Sequence, residues 1–109
     1  MKRLVYGFAA WVLLAGLPGP AKAQFDFTTI DVPGATYSLA QGINDAGQIV
    51  GSFFDDSGFH GFLLDVDGSY TTLDEPGANQ TEPHGINNVG VIAGLYYGPR
   101  RHGFLATPN

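Results

Sequence analysis

The chain contains one segment twice, and this internal repeat constrains the fold more than any other feature. Segment 28–35 (TTIDVPGA) returns 43 positions later as segment 71–78 (TTLDEPGA), and 12 of the 24 residues from 28 to 51 are identical at that offset. A second block, His60-Gly61-Phe62-Leu63, returns 42 positions later at residues 102–105. A fixed period of about 20–50 residues is typical of repeat architectures, so two copies of one structural unit are predicted.

The first 23 residues have the pattern of a signal peptide. Lys2 and Arg3 precede an uncharged, mostly apolar run from 4 to 17, and Ala21-Lys22-Ala23 has the small-x-small pattern of a cleavage site. The alternative is an uncleaved anchor, but a membrane-spanning helix needs about 18–20 apolar residues. We therefore expect cleavage after Ala23 and a bacterial protein that is secreted or periplasmic.

Residues 24–109 form the expected mature protein, a single domain of two repeats with their boundary near 66–67. Two arginines, Arg100 and Arg101, stand against ten carboxylates, a net charge of −8. Nucleic acids and anionic membranes bind basic patches, so we expect neither as a partner. The chain has no cysteine, which excludes disulfides and thiolate ligands and leaves packing alone to hold the domain.

The periodicity within each repeat is that of strands. Segments 48–54 and 91–97 are short and rich in β-branched and aromatic residues, and Asn-x-x-Gly turns precede them. No segment of the expected mature chain has ten or more residues with helical periodicity. An all-β fold is predicted, with four antiparallel strands in each of two tandem repeats: 27–32, 38–44, 48–54, 61–66, 70–74, 81–87, 91–97 and 103–106.

The repeated residues resemble a known family. Gly-Ile-Asn-Asp/Asn-x-Gly-x-Ile-x-Gly, followed by His-Gly-Phe-Leu and by Thr-Thr-Ile/Leu-Asp-x-Pro-Gly-Ala, is similar to the HAF-type repeat of bacterial extracellular proteins, with glycine replacing the central alanine of His-Ala-Phe. The resemblance covers residues 27 to 105. It implies a secreted protein with propeller-blade-like β repeats, and it carries no catalytic residue to this chain.

The repeat spacing of about 40–45 residues is that of a four-stranded propeller blade, but propellers usually close with four to eight blades. Segment 27–32 has the sequence of the strand that ends a repeat, and segment 103–106 lacks that strand after it. Segment 27–32 could pair with 103–106 of the same molecule, giving a compact two-sheet body, or with that of the next molecule. The compact body is the expected form of one chain, and a head-to-tail homo-oligomer is the alternative.

The patterns of the polar residues that could form a site favour structural roles. His60 and His102 recur at matched positions before Gly-Phe-Leu, which favours a hydrogen-bonding role over metal ligation. Segment 65–69 (DVDGS) has alternating oxygen ligands but lacks the rest of a calcium loop, so a turn is expected. Repeated Asp31 and Asp74, beside Pro-Gly turns, are expected to bind backbone amides. We predict no catalytic residue, no cofactor and no metal site.

Aromatic residues are the remaining candidates for ligand contact. Phe53, Phe62, Tyr96 and Phe104 recur between the repeats and are expected to fill the core between the sheets. Among the aromatics outside this core, three are the candidate ligand contacts: Tyr37, Phe54 and Tyr97. The favoured function is a secreted, non-enzymatic β-repeat protein that serves as an extracellular or envelope interaction or structural module, with a protein or glycan partner. The alternative is a small carbohydrate-binding lectin assembled from two-blade chains.

Overall fold

A computed structural model describes residues 24–109, and this part of the chain is all-β with no helix. The prediction of an all-β fold is confirmed. The predicted signal peptide, residues 1–23, lies outside the described residues. Seven strands are present: β1 Tyr37–Ile43, β2 Ile49–Asp55, β3 Gly58–Leu64, β4 Tyr70–Leu73, β5 Gln80–Ile86, β6 Ile92–Tyr97 and β7 Arg101–Ala106.

The strands form two antiparallel sheets in which chain neighbours pair. The first sheet has the order β1-β2-β3-β4 and the second has the order β5-β6-β7. Four strands were predicted in each repeat, with the boundary near 66–67. The first sheet has four strands, but its fourth is β4 of the predicted second repeat in place of 27–32, and the second sheet has three. The predicted strand 27–32 is not a strand, because residues 24–32 have no partner strand in the described chain. The other seven predicted strands are present, with their ends shifted by at most three residues.

Glycines with a positive φ close the hairpins. Gly47 (φ 95°) ends the β1–β2 turn, where its N–H donates to the carbonyl of Asn44 at 3.0 Å, and Gly90 (φ 87°) ends the β5–β6 turn in the same way. The turn between β3 and β4 was predicted as a two-residue hairpin at 67–68. It is instead a three-residue loop, because Asp65 N–H bonds to the Ser69 carbonyl and Gly68 (φ 89°) supplies the left-handed residue.

The first strand of each sheet carries the same irregularity. The pairing of β1 with β2 shifts register between Ala40 and Gly42, and that of β5 with β6 shifts between Pro83 and Gly85. Pro83 cannot donate a ladder hydrogen bond, and it is tolerated because β5 is an edge strand with a bulge at this point.

The two faces of the first sheet have different coverings. Val32, Phe53 and Phe62 form the buried core cluster on one face, with Ile30 packed against it. Gly61 precedes Phe62 in β3 and therefore points the opposite way, and a Cβ on Gly61 would lie 2.7 Å from the Pro83 ring of the second sheet. The first sheet thus separates segment 30–32 from the second sheet.

This arrangement corrects the predicted core. Phe53 and Phe62 are buried, as expected, but they pack under segment 30–32 instead of between the sheets. Their counterparts Tyr96 and Phe104 are only partly buried.

The Gly-Ile-Asn segments of the two sheets lie against each other. The Asn44 side-chain amide donates to the Asn87 carbonyl at 3.0 Å, and the Asp45 N–H donates to Asn88 Oδ1 at 2.9 Å. These partners are 43 residues apart, so equivalent strand ends of the two sheets meet.

Within residues 24–109 there is no helix long and apolar enough to cross a membrane.

Candidate functional site

Three aromatic rings form an exposed cluster at one end of the first sheet. Tyr37, Phe54 and Phe59 lie side by side because β1 pairs Tyr37 with Phe54 and β3 pairs Phe59 with Phe54. The Tyr37 and Phe54 rings stack with centroids 5.7 Å apart at 14°, and Phe59 meets Phe54 edge-on at 5.3 Å. Tyr37 is 43% exposed and Phe54 is 36% exposed. We call these three residues the aromatic cluster.

The corresponding end of the second sheet has a different composition. Gln80 is at the position of Tyr37, Tyr97 is at that of Phe54, and Arg101 is at that of Phe59. The Arg101 guanidinium carbon lies 5.5 Å from the centroid of the Tyr97 ring, so one face of that ring is covered by a cation. Of the three predicted aromatic residues, the structure therefore brings Tyr37 and Phe54 together and places Tyr97 in the other sheet.

A small cleft between the sheets borders the aromatic cluster. Its volume is about 140 Å³. One side is formed by residues of the first sheet: Leu39, Gln41, Ser52 and Phe59. Glu82 and His84 of the second sheet form the other side. The cleft thus places an amide, a carboxylate and an imidazole beside an aromatic ring.

His60 connects the β2–β3 turn to the end of β4. Its Nδ1 lies 2.8 Å from Asp74 Oδ2, and its Nε2 lies 2.7 Å from Ser57 Oγ and 3.2 Å from Asp55 Oδ1. The repeated position favoured a hydrogen-bonding role for this histidine, and the contacts of His60 are of that kind. Asp74 was expected to bind backbone amides; its carboxylate contacts His60 instead.

These contacts have the order of a Ser–His–Asp triad, which the sequence analysis did not foresee. A nucleophilic serine needs its proton directed to the histidine. Ser57 Oγ also lies 2.8 Å from Asp55 Oδ1, and its hydroxyl has one proton for two acceptors. The hydrogen bonds from Ser57, with the charge of His60 as a smaller cause, lower the pKa of Asp55 below its ordinary value. Asp55 therefore stays ionised and competes for the serine proton.

The second repeat keeps the histidine and loses the serine. The turn between β6 and β7 is Gly98-Pro99-Arg100, without a hydroxyl or a carboxylate. His102 stacks on Tyr96 with ring centroids 4.9 Å apart. His60 and Asp74 have repeat counterparts in His102 and Asp31, whereas Ser57 and Asp55 have none. The repeated part of this group is the histidine–aspartate pair.

The suspected calcium loop is a turn. Asp67 accepts hydrogen bonds from the Ser69 N–H at 2.9 Å and the Ser69 hydroxyl at 2.7 Å, and these bonds lower its pKa. Asp65 caps the same turn through the N–H of Val66. Among residues 24–109 there is no group of three or more histidine and carboxylate side chains placed to hold one metal ion.

A larger groove lies between the outer strands of the two sheets. Its volume is about 610 Å³, and its walls are β4 with the following turn and β7. Tyr96 and Phe104 form its apolar floor, and Leu73 and Glu75 face them.

Two features of this surface escaped sequence reasoning. Phe59 was left out of the candidate contacts, although its alternation with His60 on a strand next to Phe54 would have placed it beside that ring. The Ser57–His60 contact depends on the exact turn conformation, which residue types alone do not specify. Comparison with protein families, with curated proteins and with solved structures found no match for this chain.

Proposed function

We propose that this chain is an exported, non-enzymatic β-repeat protein of the HAF-type repeat family that binds a partner through its surface. It would act outside the cytoplasm as an interaction or structural module of the bacterial envelope or its surroundings. The observation on which this proposal depends is the aromatic cluster of Tyr37, Phe54 and Phe59.

The aromatic cluster supports a binding role because nothing in the packing of the described residues requires these rings to be exposed. Tyr37 and Phe54 stack on each other while remaining 43% and 36% exposed. Stacked aromatic rings offer a large contact area at a small cost in conformational entropy, which is typical of recognition surfaces. The counterpart Gln80 shows that the repeat itself does not need an aromatic ring at this position.

Export supports the same proposal and is tested separately. The pattern of residues 1–23 predicts a mature protein beginning at Gln24. The full chain should be produced in a bacterial host, and the intact mass of the protein from the periplasm or medium should be measured. The expected mass is that of a chain beginning at Gln24. Retention of residues 1–23 in a cytoplasmic product would contradict export.

Binding is tested with the purified protein on isolated envelope material that contains both proteins and glycans. Tyr37→Ala and Phe54→Ala should reduce the bound fraction at least tenfold, since removal of one central aromatic contact typically costs more than about 1.4 kcal/mol. Gln80→Ala, at the matched position of the second sheet, should leave binding unchanged. Equal loss in all three variants, or no binding by the natural chain, would refute the proposal.

A carbohydrate-binding lectin is the second candidate, and the cleft beside Phe59 favours it. Sugars are bound by aromatic rings together with hydrogen-bonding side chains, and Gln41, Glu82 and His84 provide such groups next to Phe59. Glycan-array binding that disappears in Tyr37→Ala or Phe54→Ala and weakens in Gln41→Ala would favour the lectin. Binding to envelope proteins with a blank glycan array would favour the protein-binding module.

A further inference from the structure

The outer edge of β7 has no partner strand within residues 24–109. In the first sheet, the corresponding strand β3 pairs along its outer edge with β4. Gly61 is opposite Leu73, Phe62 is opposite Thr72 and Leu63 is opposite Thr71. The second sheet ends at β7, and Leu105, the counterpart of Leu63, is 74% exposed. An unpaired edge of this kind is a template for an added strand.

The sequence of the absent strand is present elsewhere in the chain. The repeat offset of 43 relates the β4 strand and the following Asp74 to segment 27–31, FTTID. This segment forms no strand pairing within residues 24–109, and Phe27 is 94% exposed. The segment thus has the residues of a fourth strand without the partner that such a strand needs.

A chain cannot place this segment on its own β7 while keeping its core. Ile30 packs on the cluster of Val32, Phe53 and Phe62, on one face of the first sheet. The second sheet lies against the other face, where Gly61 meets Pro83. The first sheet therefore stands between segment 27–31 and the β7 strand of the same chain.

We propose that segment 27–31 of one copy adds to β7 of a second copy as the fourth strand of its second sheet. Applying the β3–β4 register at the repeat offsets pairs Ile30 with Gly103, Thr29 with Phe104 and Thr28 with Leu105. The interface is heterologous, with a different surface on each side, and such contacts close into rings when the rotation allows. The partner is a second copy of this chain, and the interface does not depend on the ligand of the aromatic cluster.

Strand alternation makes this pairing compatible with both molecules. Successive side chains of a strand point to opposite faces, so Ile30 can remain in the core of the donor while Thr29 and Phe27 face the acceptor. In the first sheet, Tyr70 contacts Phe62 edge-on with ring centroids 5.7 Å apart. Phe27, the counterpart of Tyr70, would occupy the groove of about 610 Å³ and cover Phe104 in the same manner.

The proposed contact also completes a histidine–aspartate pair. His60 Nδ1 lies 2.8 Å from Asp74 Oδ2 within one chain. Their counterparts are His102 at the start of β7 and Asp31 at the end of segment 27–31. Addition of the strand in the proposed register brings Asp31 of the donor to His102 of the acceptor, so one hydrogen bond is formed between copies for each interface.

Cysteine cross-linking tests the register directly, because the natural chain contains no cysteine. Full chains carrying Thr28→Cys and Leu105→Cys should be mixed and oxidised, and a disulfide-linked dimer containing one of each is expected. The matched control is Thr28→Cys mixed with Val89→Cys, because Val89 is a similarly exposed residue (77%) in the β5–β6 turn and should not cross-link. A Thr28→Cys/Leu105→Cys double variant that links within one monomer would overturn the proposal.

Light scattering on the natural chain tests the assembly without a cross-link. A mass of at least twice that of one copy is expected, and a monomer at high protein concentration would overturn the proposal. Phe27→Asp should return the protein to a monomer with an unchanged far-ultraviolet circular dichroism spectrum. Phe25→Asp is the control, since Phe25 is 76% exposed but corresponds to the turn residue Gly68. An equal effect of both variants would indicate non-specific apolar association and would refute the strand addition.

Discussion

The Asn44 side-chain amide donates a hydrogen bond to the Asn87 carbonyl at 3.0 Å, although the two asparagines are 43 residues apart. They occupy equivalent positions at the ends of β1 and β5. Asn44 also donates to Gln48 Oε1 at 2.7 Å and accepts from the Gln48 N–H at 2.9 Å, so it joins its own turn to the second sheet. The two copies of one sequence element thus contact each other asymmetrically.

Asn44→Ala should destabilise the fold by about 1–3 kcal/mol, because Asn44 is only 9% exposed and its loss leaves the Asn87 carbonyl without this donor. Asn87→Ala should cost less, about 0.5–1.5 kcal/mol, since its exposed side chain accepts only from N–H groups of its own turn. Urea unfolding of both variants measures the difference. Equal losses would contradict a specific role for the contact between the sheets.

Gly42→Ala and Gly85→Ala form a second matched pair. A Cβ on Gly42 would lie 2.9 Å from the His84 carbonyl oxygen, whereas a Cβ on Gly85 would meet no atom within 4 Å. We expect Gly42→Ala to lower the free energy of unfolding by about 1–3 kcal/mol, because rigid backbone must move. Gly85→Ala should be close to neutral. Thermal unfolding of the two variants checks this, and the reverse order would show that the two strand ends do not approach as described.

Phe62→Ala should cost about 3–5 kcal/mol, because Phe62 has no exposed surface and a cavity would remain. Phe104→Ala should cost clearly less in dilute protein, since the Phe104 ring, unlike its counterpart Phe62, is only partly buried and lines the open groove. Chemical unfolding at low protein concentration gives both values. A Phe104→Ala loss as large as that of Phe62→Ala would mean that β7 is covered within a single chain.

The pKa of Asp55 should lie below 3.8, because Ser57 donates two hydrogen bonds to its carboxylate and His60 lies beside it. The unfolded chain then binds more protons in acid, so the contribution of Asp55 to stability is present above about pH 4 and is lost as the pH falls through the lowered pKa. Ser57→Ala should raise the pKa of Asp55 toward 3.8. Carbon-13 NMR titration measures this shift.

The control in that titration is Asp67, which accepts comparable hydrogen bonds from Ser69 in a separate turn. Its midpoint should not move in Ser57→Ala. A shift of both carboxylates would indicate a general change of the fold instead of the loss of one donor.

Ser57 should not react with an organophosphonate that labels activated serines. Its hydroxyl is within 2.8 Å of Asp55 Oδ1 as well as 2.7 Å from His60 Nε2, so the histidine is not its sole proton acceptor. Mass spectrometry of the treated protein, beside a serine hydrolase as the positive control, checks this. Stoichiometric labelling of Ser57 that disappears in His60→Ala would refute the non-enzymatic proposal.

Much of the secondary structure could be predicted because the signals were local. Asn-x-x-Gly at 44–47 and 87–90 predicts a turn ending in a left-handed glycine, and Gly47 and Gly90 have φ values of 95° and 87°. The aromatic and β-branched composition of β2 and β6 likewise predicted strands. These features depend on contacts within a few residues of one another.

The failed predictions concern pairing over longer distances. Segment 27–32 resembles β4 and its following turn, with three of six residues identical. Within residues 24–109, however, β4 is a strand and segment 27–32 is not, because β4 has a neighbouring strand there with which it shares hydrogen bonds. Phe53 and Phe62 were correctly expected to be buried. The segment that covers them is 30–35, however, and its path across the first sheet could not be read from the sequence. The Ser57–His60–Asp74 contacts also join three separate parts of the chain.

The sequence by itself determined the two Asn-x-x-Gly turns and the strand-forming segments, because these follow from the local conformational preferences of particular residues; the repeat period is read directly from the sequence. Only the tertiary structure decided which strand has a partner, which face of the first sheet holds the core and which aromatic rings remain exposed. The physical reason is that a strand is stabilised by a neighbour, and two similar segments have different structures when one has that neighbour and the other does not.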